Sequence, residues 1–174
     1  MVLRGVCSAL TAAHDHGLVH RDLKPENIFL QRHDGQIMPK VLDFGLAKAF
    51  DRPGALAPLT APGTSAGLLV GTLDYMSPEQ VSGDEVDPAW DIWALTVIAY
   101  EMLTGGHPFR RTMVFAGMPG SPESETAISA LPGMALHPLP DRLTTFFTAA
   151  LSTERGSRPA DAAVFLRACE QALA

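Results

Sequence analysis

The stretch from Asp91 to Leu103 narrows the fold more than any other part of the chain. Ile92, Trp93, Leu95, Val97, Ile98, Tyr100, Met102 and Leu103 leave no polar face of useful width at a helical period. A helix that is apolar all round has to lie inside a protein core, because any exposed side would place large apolar area in water. Other elements must therefore wrap it. With 174 residues, 47% of them hydrophobic and only 18% charged, one ordinary domain can supply that wrapping, and the composition argues against a disordered chain. The longest apolar run within the segment, Trp93 to Tyr100, is interrupted by Thr96 and falls far short of the ~18 residues of a membrane span.

The wrapping elements are legible from periodicity. Leu3, Val6, Leu10 and Ala13 recur at helical spacing, which predicts an amphipathic helix over 1–16 with Gly17 as its stop signal. Ile28 to Leu30 and Lys40 to Leu42 are short apolar runs, and the polar stretch between them contains Asp34 and Gly35, so they predict a small β-hairpin. Leu143, Phe146, Phe147, Ala150 and Leu151 fit one helical face, with Asp141 as the expected N-cap. Phe165, Leu166, Cys169 and Leu173 give a last amphipathic helix after Pro159 and Asp161, so terminal helices occupy 141–173. Two long stretches, Leu46 to Leu69 and Gly117 to Pro140, have no period and are rich in proline and glycine, which predicts loops. The fold class is mainly α with one small β-hairpin.

Charge and cysteines exclude several functions. The net charge is −6, and of the ten arginines only Arg110 and Arg111 are adjacent, so no basic face for nucleic acid is visible. Cys7 and Cys169 lie near opposite ends and do not form the disulfide framework of small secreted domains. Both are expected to be reduced core thiols, and with no signal peptide or membrane segment in view the expected location is cytoplasmic. His14, His16 and His20 are close in sequence, but His14 and His16 are two apart on a helix and do not share a face, so they are not read as a metal site.

Three ordered motifs carry chemistry: His20-Arg21-Asp22-Leu23-Lys24-Pro25-Glu26-Asn27, then Asp43-Phe44-Gly45, then Ser77-Pro78-Glu79. Together they resemble the catalytic loop, the metal-binding triplet and the Ala-Pro-Glu signature of protein kinases, in the style of bacterial eukaryotic-like serine/threonine kinases. The resemblance covers essentially the whole chain and implies a kinase C-terminal lobe over 1–174. Its parts are an αE-like helix (1–16), the catalytic loop (18–30), the activation segment (43–79), a buried αF-like helix (91–103) and the terminal helices. Phosphoryl transfer needs positioning and charge neutralisation more than covalent help, hence an oxygen base and hard oxygen ligands for Mg²⁺. By the resemblance, Asp22 accepts or orients the substrate hydroxyl, Lys24 steadies the transferring phosphate of ATP, and Asn27 and Asp43 hold Mg²⁺. Lys24 and Thr72 point to Ser/Thr hydroxyls of a protein substrate. Arg21 resembles the arginine of kinases switched by activation-loop phosphorylation, with Thr60, Thr64 and Ser65 as candidate phosphosites. His20 and Phe44 resemble part of the hydrophobic spine, with Gly45 completing the triplet. Glu79 is expected to pair with Arg158, and Asp91 to accept backbone hydrogens from the catalytic loop.

The same resemblance exposes what the chain lacks. A glycine-rich phosphate loop, a strand lysine and its glutamate partner precede the catalytic loop in this family. Here only 19 residues precede His20, no two glycines stand two apart, and the only lysines are Lys24, Lys40 and Lys48. The expectation is a C-lobe without its N-lobe, a shortened catalytic domain inactive by itself, with an N-lobe lost or supplied elsewhere. The alternatives are a noncatalytic one-lobed pseudokinase that binds partners, and a small-molecule phosphotransferase of kinase-like fold. Two positions depart from the family pattern: Thr96 stands where relatives commonly have glycine, and Ala89 where arginine is frequent.

Overall fold

A computed structural model describes residues 2–44, 74–109 and 139–174. Within them the order is α1 (Val2–Asp15), a 3-10 turn (Pro25–Asn27), β1 (Ile28–His33), β2 (Gln36–Val41), α2 (Pro78–Ser82), α3 (Ala89–Thr104), α4 (Asp141–Ala150), a 3-10 turn (Arg155–Ser157) and α5 (Ala162–Leu173).

Helix α3 is buried without a break from Trp90 through Tyr100, as its all-round apolar pattern requires. It begins two residues before the expected start, with Pro88 at the N-cap position, and Asp87 Oδ1, just ahead of it, accepts from Ala89 N at 2.8 Å. Gly105 ends it at φ 74, a left-handed conformation glycine adopts without steric cost. Thr96, in the middle, donates its hydroxyl to Ile92 O at 2.7 Å, so the departure from glycine leaves no unpaired polar group.

Around α3 pack Val6, Cys7 and Leu10 of α1, Leu143, Phe146 and Phe147 of α4, and Ala162, Phe165 and Cys169 of α5. Each of the larger side chains contributes about 1.5–3 kcal/mol by leaving water. Tyr100 meets Phe147 edge-on, with ring centroids 5.1 Å apart and planes at 81°. Both cysteines are buried free thiols. Among the described residues no helix is long and apolar enough to cross a membrane.

Asp141 does not cap α4. It occupies the first helical position, Pro140 holds the cap with φ −53, and no side chain bonds there. The carboxylate instead lies in the first turn, where it suits the positive end of the helix dipole. Asp161, by contrast, does cap α5, accepting from Val164 N at 2.7 Å.

The hairpin is longer than the apolar runs indicate, pairing Ile28 with Val41 through to His33 with Gln36. Asp34 and Gly35 both take positive φ, 49 and 76, which makes a two-residue turn whose twist matches the strands and extends pairing up to its base. The hairpin lies against α1, and Gly5 is where they meet: a Cβ there would overlap the Pro39 ring.

Candidate active site

The segment leaving α1 is fixed from beneath by one buried carboxylate. Asp91, in the first turn of α3 and 1% exposed, accepts from His20 N at 2.8 Å and from Arg21 N at 2.9 Å. A third partner is His14, whose Nε2 lies 2.8 Å from Asp91 Oδ2. A buried carboxylate is costly unless its oxygens are paired, and here both are.

His20, fully buried, joins the loop to the segment that carries Asp43. Its Nε2 donates to Leu42 O at 2.8 Å while Nδ1 accepts from Asp22 N at 3.3 Å, which sets the ring tautomer. The Phe44 ring packs on it with centroids 4.9 Å apart. Arg21 and Asp43 both have positive φ, 67 and 54, conformations that non-glycine residues hold only where the surroundings impose them.

Leu23 is buried in the core at 2% exposure, while its neighbours Asp22 and Lys24 are part-buried, their side chains 27% and 22% exposed. Lys24 Nζ lies 3.2 Å from Asp22 Oδ2. Asn27 Nδ2 donates to Asp22 O at 2.8 Å, so the amide oxygen is the end left for other partners. Asp43 is exposed. An amide oxygen and a carboxylate are a hard-oxygen set suited to Mg²⁺, which commonly takes one or two carboxylates and completes its shell with water and phosphate oxygens. Among the described residues no cluster of three or more His, Cys, Asp or Glu offers an all-protein cage.

Helix α2 borders the loop on another side. Ser77, fully buried, caps it by accepting from Gln80 N at 3.2 Å. Arg158 donates to both oxygens of Glu79, at 2.6 and 3.0 Å, and to Ser152 O at 2.7 Å, with its guanidinium 4.8 Å above the Trp93 ring. Burial alone would raise the Glu79 pKa, but the Arg158 hydrogen bonds, a backbone hydrogen bond and the Arg158 charge outweigh it and hold the carboxyl below its ordinary range. Tyr75 donates to Glu101 Oε2 at 2.8 Å, and burial together with that carboxylate pushes the phenol pKa well up.

Asp22, Lys24, Asn27, His20, Arg21, Asp43 and Phe44 thus gather on one loop cluster, with Asp91 beneath it, while Glu79 and Arg158 meet at its border. Gly45, Thr60, Thr64, Ser65 and Thr72 lie outside the described residues. Sequence reasoning missed two contributors. One is His14, which lies one helical step beyond Cys7 and Leu10 on the same buried stripe of α1. The other is Gln80, whose Nε2 donates to Arg21 O at 2.7 Å.

Residues 1–163 match the protein kinase domain family. Over 109 residues, 62% of this chain and 15% of the relative, the chain is 55% identical to serine/threonine-protein kinase Pkn1 of Myxococcus xanthus. It is 38% identical over 167 residues, 94% of this chain and 29% of the relative, to serine/threonine-protein kinase pkn3 of the same organism. A further match, 46% identical over 62% of this chain and 24% of the relative, is serine/threonine-protein kinase PknL of Mycobacterium tuberculosis. The chain spans less than a third of the length of these relatives. With the three motifs in order and the family matched over nearly its full length, this chain belongs to the protein kinase family, of the bacterial eukaryotic-like serine/threonine type.

Proposed function

We propose that this chain forms the C-lobe half of a serine/threonine protein kinase site, the half that positions the substrate hydroxyl and holds metal. The observation that carries the reading is His20, which binds Asp22 N on one side and Leu42 O on the other and so fixes Asp22 and the residue before Asp43 in one frame. In that frame Asp22 orients the Ser or Thr hydroxyl of a protein substrate and accepts its proton. Lys24, held beside Asp22, places its ammonium where the transferring γ-phosphoryl group of ATP gains negative charge. Asn27 Oδ1 and the Asp43 carboxylate hold Mg²⁺, which when bound neutralises phosphate charge.

The chain contains no GxGxxG segment, and neither Lys40 nor Lys48 precedes the catalytic loop as the family's strand lysine does. We therefore propose that the 174 residues alone have little or no phosphotransferase activity, and that a lobe carrying those parts completes the site. The hairpin supports this, since Phe29, Leu30, Met38 and Leu42 expose apolar surface beside the loop.

The test is a Mg·ATP phosphorylation assay on a Ser/Thr-containing protein, with the chain alone and with it joined to a kinase N-lobe. The expected result is turnover only in the joined protein, abolished by Asp22→Asn. Turnover by the chain alone that Asp22→Asn abolishes would overturn the proposed inactivity of the 174 residues, and no turnover in the joined protein would overturn the kinase reading.

A further inference from the structure

We propose that Gln80 is a positioning residue, whose side-chain amide sets the plane of the Arg21–Asp22 peptide and with it the direction of the Asp22 carboxylate. Gln80 Nε2 lies 2.7 Å from Arg21 O. A carbonyl can only accept, so the NH₂ end of the amide must face it.

The geometry leaves this bond a specific task. Arg21 sits at φ 67, and its N–H is already held by Asp91 at 2.9 Å. The peptide that follows has its N–H on His20 Nδ1 at 3.3 Å and its C=O on Gln80 Nε2 at 2.7 Å. The shorter bond is therefore the tighter constraint on the peptide plane.

Gln80 is itself well anchored. Its N–H is on Ser77 Oγ, and the preceding residue, Glu79, is gripped by Arg158. Two adjacent residues of α2 thus reach in different directions, one to Arg158 and the other to the loop. Any displacement of α2 is passed to the peptide before Asp22 through Gln80.

The role given to Asp22 rests on the kinase reading, whereas the clamp itself can be measured without activity. Gln80→Met keeps the length of the side chain and removes the donor, and Gln80→Glu replaces the donor with an acceptor. Amide hydrogen exchange on the 174-residue chain should show Arg21 and Asp22 exchanging about tenfold faster in both variants, the scale of one lost hydrogen bond, while amides inside α3 keep their protection. Unchanged loop exchange would overturn the proposal. So would an equal rise in α3, or failure of both variants to fold, since either makes Gln80 a residue of general stability. In the protein joined to an N-lobe, kcat should fall about tenfold with KM for the protein substrate unchanged. A change in KM alone would also overturn it. An inactive parent protein would sink the kinase reading and leave the exchange result to decide the clamp.

Discussion

Arg158 grips both carboxylate oxygens of Glu79 across 79 positions of sequence, at 2.6 and 3.0 Å, with side chains only 1% and 15% exposed. Removing one partner strands the other charge in a poorly solvated site, so Arg158→Met should cost about 3–5 kcal/mol in denaturant unfolding. The double change to apolar residues should cost much less. Because the folded-state pKa of Glu79 lies below its ordinary 4.5, its contribution is fully present above that value and fades as pH falls through the folded-state value. Below about pH 4.5 the parent protein should therefore lose stability more steeply than Glu79→Gln. Parallel acid profiles for the two proteins would show that the pair contributes nothing.

His14 supplies Asp91 with its third hydrogen bond, at 2.8 Å, from the last turn of α1. His14→Phe keeps an aromatic ring but removes that donor, and a lost hydrogen bond to a charged group costs about 1.5–3 kcal/mol. The expected signature is a lower unfolding midpoint in urea together with faster amide exchange at His20 and Arg21, which share the same carboxylate. A midpoint equal to that of the parent would show that Asp91 needs only its two backbone donors.

The parts of the fold that were legible carry their own local signal. Helix α3 has an apolar residue at nearly every position, the Asp34-Gly35 pair has one favoured hairpin turn, and Asp161 has a free backbone N–H three residues ahead of it. Asp141 had the right residue type for a cap, but the chain enters α4 through Pro140 and so places the carboxylate one position inside. His14 and Gln80 were not legible because their partners lie 77 and 59 positions away, and one of those partners is a backbone carbonyl that no residue type marks. The catalytic-loop residues were legible through family resemblance. Their alignment by His20 and Asp91 is a property of the folded core.

The two thiols offer a test of core packing. Burial, followed by the nearby Cys169, pushes the Cys7 thiol up to about 12, and burial also raises Cys169. The thiolate is the reacting form, so at pH 8 the folded chain should alkylate with iodoacetamide roughly 100-fold more slowly than the urea-unfolded chain. Two groups should then react on unfolding, counted by intact mass, since both cysteines are free. Rapid labelling without denaturant would mean that α1 and α5 separate readily in solution.

The outer face of the hairpin should behave as a dispensable apolar surface in this chain. Phe29 and Met38 are 54% and 50% exposed, and the register puts both on the face opposite Ile28 and Val41, which pack into the core. Substituting either with Ser removes apolar area that is already in water, so stability should stay within about 0.5 kcal/mol of the parent. Binding of an environment-sensitive dye such as ANS should fall by at least about half in the double variant, because exposed apolar patches are what such dyes report. Joining a kinase N-lobe should suppress the dye signal in the parent protein and leave little for the substitutions to remove. Dye binding that ignores both the substitutions and the added lobe would place the sticky surface elsewhere and withdraw the hairpin as the seat of a second lobe.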